Sequence, residues 1–557
     1  MNWKSILWFK CVGVVLALAL TVTIPVGYVA AIERDNDWDC DHGSGDHFRH
    51  VVAPTDKGSV VGLRTETMDK FLGIPYAAPP VGALRWQPPQ PPTRWHGLRD
   101  ATQFANHCPQ GPSPFGLPST TEDCLYLNVY TPADPKGWYH EDHHGYPVMV
   151  WIHGGALVVG ESDDYDPTKL VDQDVVVVTT NYRLGILGYL AHPALTTEQG
   201  GASGNYGFLD QQAALDWVRR NIKHFGGNPD NVTIFGESAG GLSVHTQLAS
   251  PLAAGLFDRA IIESGAYQLN TATHGAAEGR GSSFATRAGC STAADVATCL
   301  RALPVATLLA DSGAGAIAAP NVDGKVLTQS IGTALQSGQF NQVPVMEGSN
   351  HDEWRLFVAF NFELPTGVAT DNTNYAARIN ASFGGLPLAG FITPHYPTAN
   401  YPSPSIALGA AGTDGIFACN SRTSIRRMAK FVPVFAYEFN DQNAPQLFLP
   451  PDTVSGMPYG AAHASEIQYI FNLRPAVTNP PALDAHQKRL SRDMVSYWAH
   501  FARFGNPNSF HTPFWPQYDL TADQFQSLIP PQPTTEATFA ADHQCVSFWG
   551  VFLGTGN

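Results

Sequence analysis

The sequence predicts an α/β protein built on one large, mostly parallel sheet flanked by helices. Three observations carry that expectation. First, continuous β-branched runs occur at 147–152 (PVMVWI), 175–180 (VVVVTT), 232–235 (VTIF), 260–263 (AIIE), 343–346 (VPVM) and 432–437 (VPVFAY). Apolar runs that do not alternate with polar residues are what strands covered on both faces require. Second, helical stretches lie between them. The clearest is 209–225 (LDQQAALDWVRRNIKHF), with Leu209, Ala213, Trp217 and Ile222 near one face and Gly226-Gly227 closing it. Third, no repeat and no long Gly/Ser linker divides the chain, so a single catalytic domain is expected over 51–557.

Composition agrees with a large globular core. Of 557 residues, 44% are hydrophobic and only 14% charged, which excludes a disordered, acidic solvating chain. A formal charge of -16 argues against a nucleic-acid partner, which would need a basic face. Residues 1–31 read as a secretory signal: Lys4 and Lys10 flank an apolar run, and small residues stand at Val29 and Ala31. An uncleaved anchor is the rival reading, since about 20 apolar residues span a bilayer. No other stretch is apolar enough to cross a membrane, so a secreted or periplasmic protein without a membrane partner is expected.

Residues 32–50 form a polar tail. Its Asp39, Cys40, Asp41, His42 and His47, like His140, His143 and His144 further on, read as solvated rather than metal-binding. Outside the signal stand Cys40, Cys108, Cys124, Cys290, Cys299, Cys419 and Cys545. None of their spacings is that of a zinc site. Six cysteines admit 15 pairings, so the sequence alone leaves connectivity open.

The chemistry concentrates in NVTIFGESAGGLSVHTQLA, where a short strand runs into Gly236-Glu237-Ser238-Ala239-Gly240 and a helix follows. In that setting G-x-S-x-G is a nucleophile elbow. The serine stands in a strained turn whose flanking positions must be small, at a helix N-terminus that favours developing negative charge. Upstream, VMVWIHGGAL ends a strand in His153-Gly154-Gly155-Ala156, a loop whose N–H groups suit an oxyanion hole together with that of Ala239.

Nine histidines follow Ser238. His245 is seven residues on along the same helix and cannot turn back to the hydroxyl. His463, in the small-residue loop MPYGAAHASEI, has the placement of a catalytic base. Acid candidates cluster in GSNHDEW, where spacing does not separate Asp352 from Glu353.

Together with FLGIPYAAPPVGALRW, EDCLYLNVYTP, TTNYRLGILGYL and GNYGFLDQQAALDWVRRNIKHFGGNP, these motifs closely resemble the type-B carboxylesterases, from about Lys70 to Trp549. That family includes cholinesterases, bacterial p-nitrobenzyl esterases and lipases. The resemblance implies the α/β-hydrolase fold and a secreted serine carboxylesterase acting on small-molecule esters without cofactor or metal. It implies Glu353 as acid, His463 as base, and oxyanion donors at Gly155, Ala156 and Ala239. It also implies ion pairs Arg85–Glu122 and Arg183–Asp210, and bridges Cys108–Cys124, Cys290–Cys299 and Cys419–Cys545.

The chain departs from the family pattern in three places. Ala156-Leu157 stands where Gly-Phe is common, which crowds the acyl side. Trp354 replaces a common glycine, as a pocket wall or a packing residue. The segment 109–123 lacks the Trp on which cholinesterases stack a cation, so choline esters are not expected. That segment is also shorter than a lipase lid. A triacylglycerol lipase is the rival enzyme reading, and a neuroligin-like binding module the rival of another class; the intact Ser238, Glu353 and His463 argue against the latter.

Overall fold

The computed structural model describes residues 49–133, 145–311, 313–477 and 479–552. The signal reading, nearly all of the polar tail with Cys40, and the cluster of His140, His143 and His144 lie outside these residues. The first strand begins at Arg49, two residues inside the segment read as tail.

Thirteen strands of the described residues form one sheet. In chain order they are β1 (Arg49–Pro54), β2 (Ser59–Arg64), β3 (Met68–Pro75), β4 (Leu98–Asp100), β5 (Tyr126–Pro132), β6 (Tyr146–Ile152), β7 (Val176–Thr180), β8 (Gly227–Glu237), β9 (Arg259–Glu263), β10 (Val345–Asn350), β11 (Val434–Phe439), β12 (Phe525–Leu528) and β13 (Thr534–Glu536). They lie in the order β1-β2-β3-β5-β7-β6-β8-β9-β10-β11-β12-β13, with β4 beside β2. From β7 to β12 every neighbour is parallel. The chain-start edge is a meander, antiparallel from β1 through β5 to β7. This is the α/β-hydrolase fold, with a large, mostly parallel sheet flanked by helices.

The apolar runs become central strands because their alternate residues serve two cores. Val148, Val150, Ile152, Val176, Val178 and Ile234 join one buried layer. Met149, Trp151, Val177, Phe235 and Ile261 join the other. With side chains alternating across the pleat, a strand covered on both faces has no polar position to spare. Helices α1 (Tyr206–Asn221) and α2 (Ala239–Ala249) fill the first layer. The second is filled by α3 (Ala485–Phe504), which presents Leu490, Met494, Trp498 and Phe501. A capping box of Asp484 and Gln487 starts α3, and Gly505 at φ 71° ends it.

Several boundaries differ from the sequence reading: the strand expected at 432–437 runs Val434–Phe439, and the one at 232–235 runs Gly227–Glu237. The predicted helix 209–225 starts three residues earlier and gives way at Ile222 to a tighter 3₁₀ turn, which Gly226 closes at φ 84°. Its buried face is also broader, taking in Phe208, Ala214, Leu215 and Val218, while Leu209 and Ala213 are only half-buried. The strand expected at 343–346 begins at Val345 and runs on through Glu347-Gly348-Ser349-Asn350, all buried. Pro344 has no N–H for the ladder, and the polar end carries the strand toward the site.

Candidate active site

Strand β8 delivers Ser238 to the carboxyl end of the sheet, where Ser238 stands at φ 57°, ψ -118° at the head of α2. Few side chains tolerate that conformation, and the surroundings enforce it. The Ser238 N–H donates to Glu263 O at 2.9 Å, and its carbonyl accepts from Leu242 N at 2.8 Å. A Cβ on Gly236 would lie 2.5 Å from Ile152 O, and one on Gly240 would lie 1.9 Å from the same oxygen. On Gly241 it would lie 2.7 Å from Glu263 O. The glycines around the serine are therefore fixed by backbone-to-backbone packing of α2 against β6 and β9.

Strand β6 ends beside this elbow in the loop His153-Gly154-Gly155-Ala156-Leu157. Positive φ at Gly155 (93°), Ala156 (57°) and Leu157 (60°) turns the loop sharply, and a Cβ on Gly154 would lie 3.2 Å from Ser238 Cβ. The loop is held by its carbonyls: Gly155 O accepts from Val158 N and Val159 N at 3.0 Å, and Leu157 O accepts from Gly185 N at 2.7 Å. The hydroxyl of Tyr182 donates to His153 O at 2.7 Å and its ring stacks on the imidazole at 4.4 Å. Burial lowers His153 to about 4, so the ring is neutral. Among the described residues no backbone carbonyl takes the amides of Gly155 and Ala156, which leaves them available to a substrate oxygen.

The loop bearing His463 docks on the turn after β10. Asp352 N donates to Ala461 O at 2.9 Å, and Asn350 Nδ2 donates to Ala462 O at 2.8 Å. His463 Nδ1 lies 2.5 Å from Glu353 Oε2, and Glu353 Oε1 accepts from Asn350 N at 2.8 Å. Glu353 is fully buried. Asp352 turns the other way, accepting from Ala461 N at 3.0 Å and pairing with Arg355 at 2.7 Å. Of the two acids that spacing left open, Glu353 contacts the imidazole, while Asp352 contacts Ala461 and Arg355.

No hydrogen bond joins the Ser238 hydroxyl to His463 among the described residues. His463 Nε2 lacks a hydrogen-bond partner, with Glu237 Oε1 at 3.2 Å but out of alignment. Serine–histidine contacts are often loose without substrate and tighten once it binds.

Sequence reasoning missed a ring of buried carboxyls here. Burial raises Glu237 and Glu466 well above the usual carboxylate range, helped by the charge of neighbouring glutamates. Burial raises Glu263 to about 7, against a Trp498 Nε1 donor at 2.8 Å. Glu237 and Glu466 stood inside the quoted motifs GESAG and HASEI, and only their proximity to Ser238 and His463 marked them. Phe357 and Phe417 flank the His463 ring, each 5.0 Å away.

His245 is buried, with Nε2 2.9 Å from Ser424 Oγ, and takes no part in the site. Trp354 is a packing residue: it is buried against Phe357 and Phe417, and its Nε1 donates to Ser382 Oγ at 3.2 Å. The three disulfides Cys108–Cys124, Cys290–Cys299 and Cys419–Cys545 are formed. Arg85 pairs with Glu122 at 2.5 Å and Arg183 with Asp210 at 2.7 Å.

Among the described residues, two groups of histidine and acidic side chains stand close enough to share an ion: His351, Glu438, His543 and His107, Glu161, Asp163. Neither includes Ser238 or His463.

Comparison with known proteins shows the family. A profile described as "Carboxylesterase family" matches residues 49–549. The chain is 38% identical to the acylcarnitine hydrolase of Mus musculus, over 83% of each chain. It is 35% identical to the cocaine esterase of Homo sapiens, over 85% of each. A solved structure titled "PNB esterase" superposes with a TM-score of 0.72 at 32% identity, covering 88% of this chain and 97% of that one.

Proposed function

From the premise that the chain belongs to the carboxylesterase family and is a carboxylic ester hydrolase, we propose that Ser238, His463 and Glu353 hydrolyse small-molecule esters through an acyl-enzyme. The observation that carries this reading is the 2.5 Å contact of His463 Nδ1 with buried Glu353, beside a serine held in an elbow.

Glu353 holds the proton of His463 on Nδ1 and leaves Nε2 as the base. Nε2 takes the proton of Ser238 as Oγ attacks the ester carbonyl. The carbonyl oxygen becomes an oxyanion against the amides of Gly155, Ala156 and Ala239, at the head of α2. The imidazolium then protonates the departing alcohol. Water attacks the acyl-enzyme by the same route and frees Ser238.

The segment between Cys108 and Cys124 favours an esterase over a lipase. It is pinned by bridges Gln110–Ser119 and Ser113–Gly116, and Phe115 packs on Phe360 and Phe448. A segment so tied is a fixed rim rather than a hinged lid. Export from the cytosol fits three disulfides. No helix of the described residues is long and apolar enough to cross a membrane.

Ser238→Ala is expected to lower kcat on p-nitrophenyl butyrate by about 10⁶-fold with an unchanged melting temperature. It should also abolish labelling by a fluorophosphonate. A variant that keeps more than a few per cent of turnover removes Ser238 from the role.

A further inference from the structure

Away from the nucleophile, the turn after β10, strand β11 and the C-terminal segment converge on a second cluster. His543 is buried, with Nδ1 2.6 Å from Asp414 Oδ1 and Nε2 2.6 Å from Glu438 Oε1. Asp414 is itself fixed, accepting from Tyr396 OH at 2.6 Å, and Tyr396 OH in turn accepts from Trp549 Nε1 at 2.6 Å. On the open side stands His351, whose side chain is 37% exposed. Its Nδ1 lies 3.1 Å from Asp352 Oδ1, which leaves Nε2 as its other binding atom. The two imidazole rings are 5.5 Å apart. One ring nitrogen of each and a carboxylate oxygen of Glu438 lie within 4.8 Å of one another.

Glu536, on β13 beyond β12, adds a further group beside Glu438. Its carboxyl abuts that of Glu438, and its Oε1 is buried without a hydrogen-bond partner.

We propose that His351, His543, Glu438 and Glu536 form a structural site for one divalent transition-metal ion of the zinc type. Two features support this assignment. Both histidines carry a carboxylate on Nδ1, the arrangement that fixes a ligating tautomer and turns Nε2 toward a metal. Two imidazoles and the Glu438 carboxylate supply three ligands of the kind zinc takes, and Glu536, which abuts Glu438 but stands outside that set, is the carboxyl that would close a fourth position.

Ligand atoms around four-coordinate zinc stand roughly 3.3 Å apart. The 2.6 Å contact between His543 and Glu438 must open slightly and the exposed His351 must swing in. His351 is the entry side.

The consequence is mechanical rather than catalytic. Such an ion ties the C-terminal segment, already joined to the chain by Cys419–Cys545, to the turn that carries Asp352 and Glu353.

The test uses the untagged full-length secreted chain, stripped with chelator, dialysed and titrated with Zn²⁺ by calorimetry. Three variants are titrated in parallel: His351→Ala, Glu536→Gln and His107→Ala, the last in the other histidine–carboxylate group. Wild type is expected to show a one-to-one binding event that persists in His107→Ala and weakens at least about tenfold in His351→Ala and Glu536→Gln. Zn²⁺ should raise the melting temperature of wild type and not of His351→Ala. Co²⁺ should give wild type a visible tetrahedral d–d spectrum that His351→Ala lacks. Zinc uptake equal in wild type, His351→Ala and Glu536→Gln, or uptake lost only in His107→Ala, overturns the proposal. So does a wild type that takes up no zinc, in which case the cluster is held together by protons alone.

Discussion

At the residue scale, Asp352 and Glu353 are chemically similar neighbours with different surroundings. Glu353 faces His463, whereas Asp352 faces Arg355 and the Ala461 amide. Glu353→Gln is expected to lower kcat on the order of 10⁴-fold, the scale of an acid-to-amide change in a serine triad. Asp352→Asn should cost far less and act through loop stability. If Asp352→Asn proves the more damaging at equal melting temperature, the acid is Asp352. A second prediction follows from Glu263. Its folded pKa is near 7 against 4.5 for an ordinary glutamate, so between those values the folded state binds more protons than the unfolded one. The contribution of Glu263 to stability therefore falls as pH rises from about 4.5 to 7, by on the order of 3 kcal/mol in total. Glu263→Gln keeps an acceptor for Trp498 and has no charge to bury. Its melting temperature should match wild type near pH 4.5 and exceed it at pH 8; equal melting at pH 8 refutes the shift. At this scale Ser238 was legible because a strained turn leaves a glycine signature. The buried carboxyls were not, because a glutamate's burial depends on which distant segments cover it.

At the element scale, the central strands were legible because double-faced burial writes an unbroken apolar run. The polar half of β10 was not, since Glu347, Ser349 and Asn350 look like loop until partners are known. Ser424 donates to Glu347 at 2.9 Å, and Asn350 Nδ2 bonds Ala462 O and Glu466. Those partners lie between 77 and 116 residues away in the chain. The packing of α2 gives a sharp prediction. Gly240→Ala places a methyl 1.9 Å from Ile152 O, where only backbone movement relieves it. It should destabilise the protein by about 3 kcal/mol or more and reduce kcat by displacing Ser238. Wild-type melting and turnover in that variant would mean that α2 is free to shift.

At the scale of the whole molecule, the parallel centre was predicted, and the β1–β5 meander was not. Its strands carry a half-buried Lys70 and buried Asp69, Asn128 and Thr131, polar residues that single-strand patterning does not distinguish from loop. The disulfides act at this scale too. Cys108–Cys124 spans 16 residues and Cys419–Cys545 spans 126. In the chain-entropy model they are worth about 3 and about 5 kcal/mol. Protein made in a reducing cytosol should melt several degrees lower than exported protein. Peptide mapping of exported protein should find all three pairs oxidised; free Cys108 and Cys124 would contradict the export reading.

The glycine contacts around Ser238 also bear on how this enzyme can change. The nucleophile is positioned by main-chain atoms of Ile152, Glu263 and Gly265, none of which depends on which side chains line the pocket. Substrate preference and nucleophile placement are thus written in separate parts of the sequence. The aromatic cluster of Phe115, Phe360 and Phe448 makes none of these contacts, so it can be exchanged in a selection for new esters without moving the hydroxyl. Libraries confined to those positions should remain mostly folded and fluorophosphonate-reactive, whereas libraries of equal size spread over 236–241 should be mostly inert. The architecture separates an adjustable periphery from an invariant reaction centre, a division that favours evolvability.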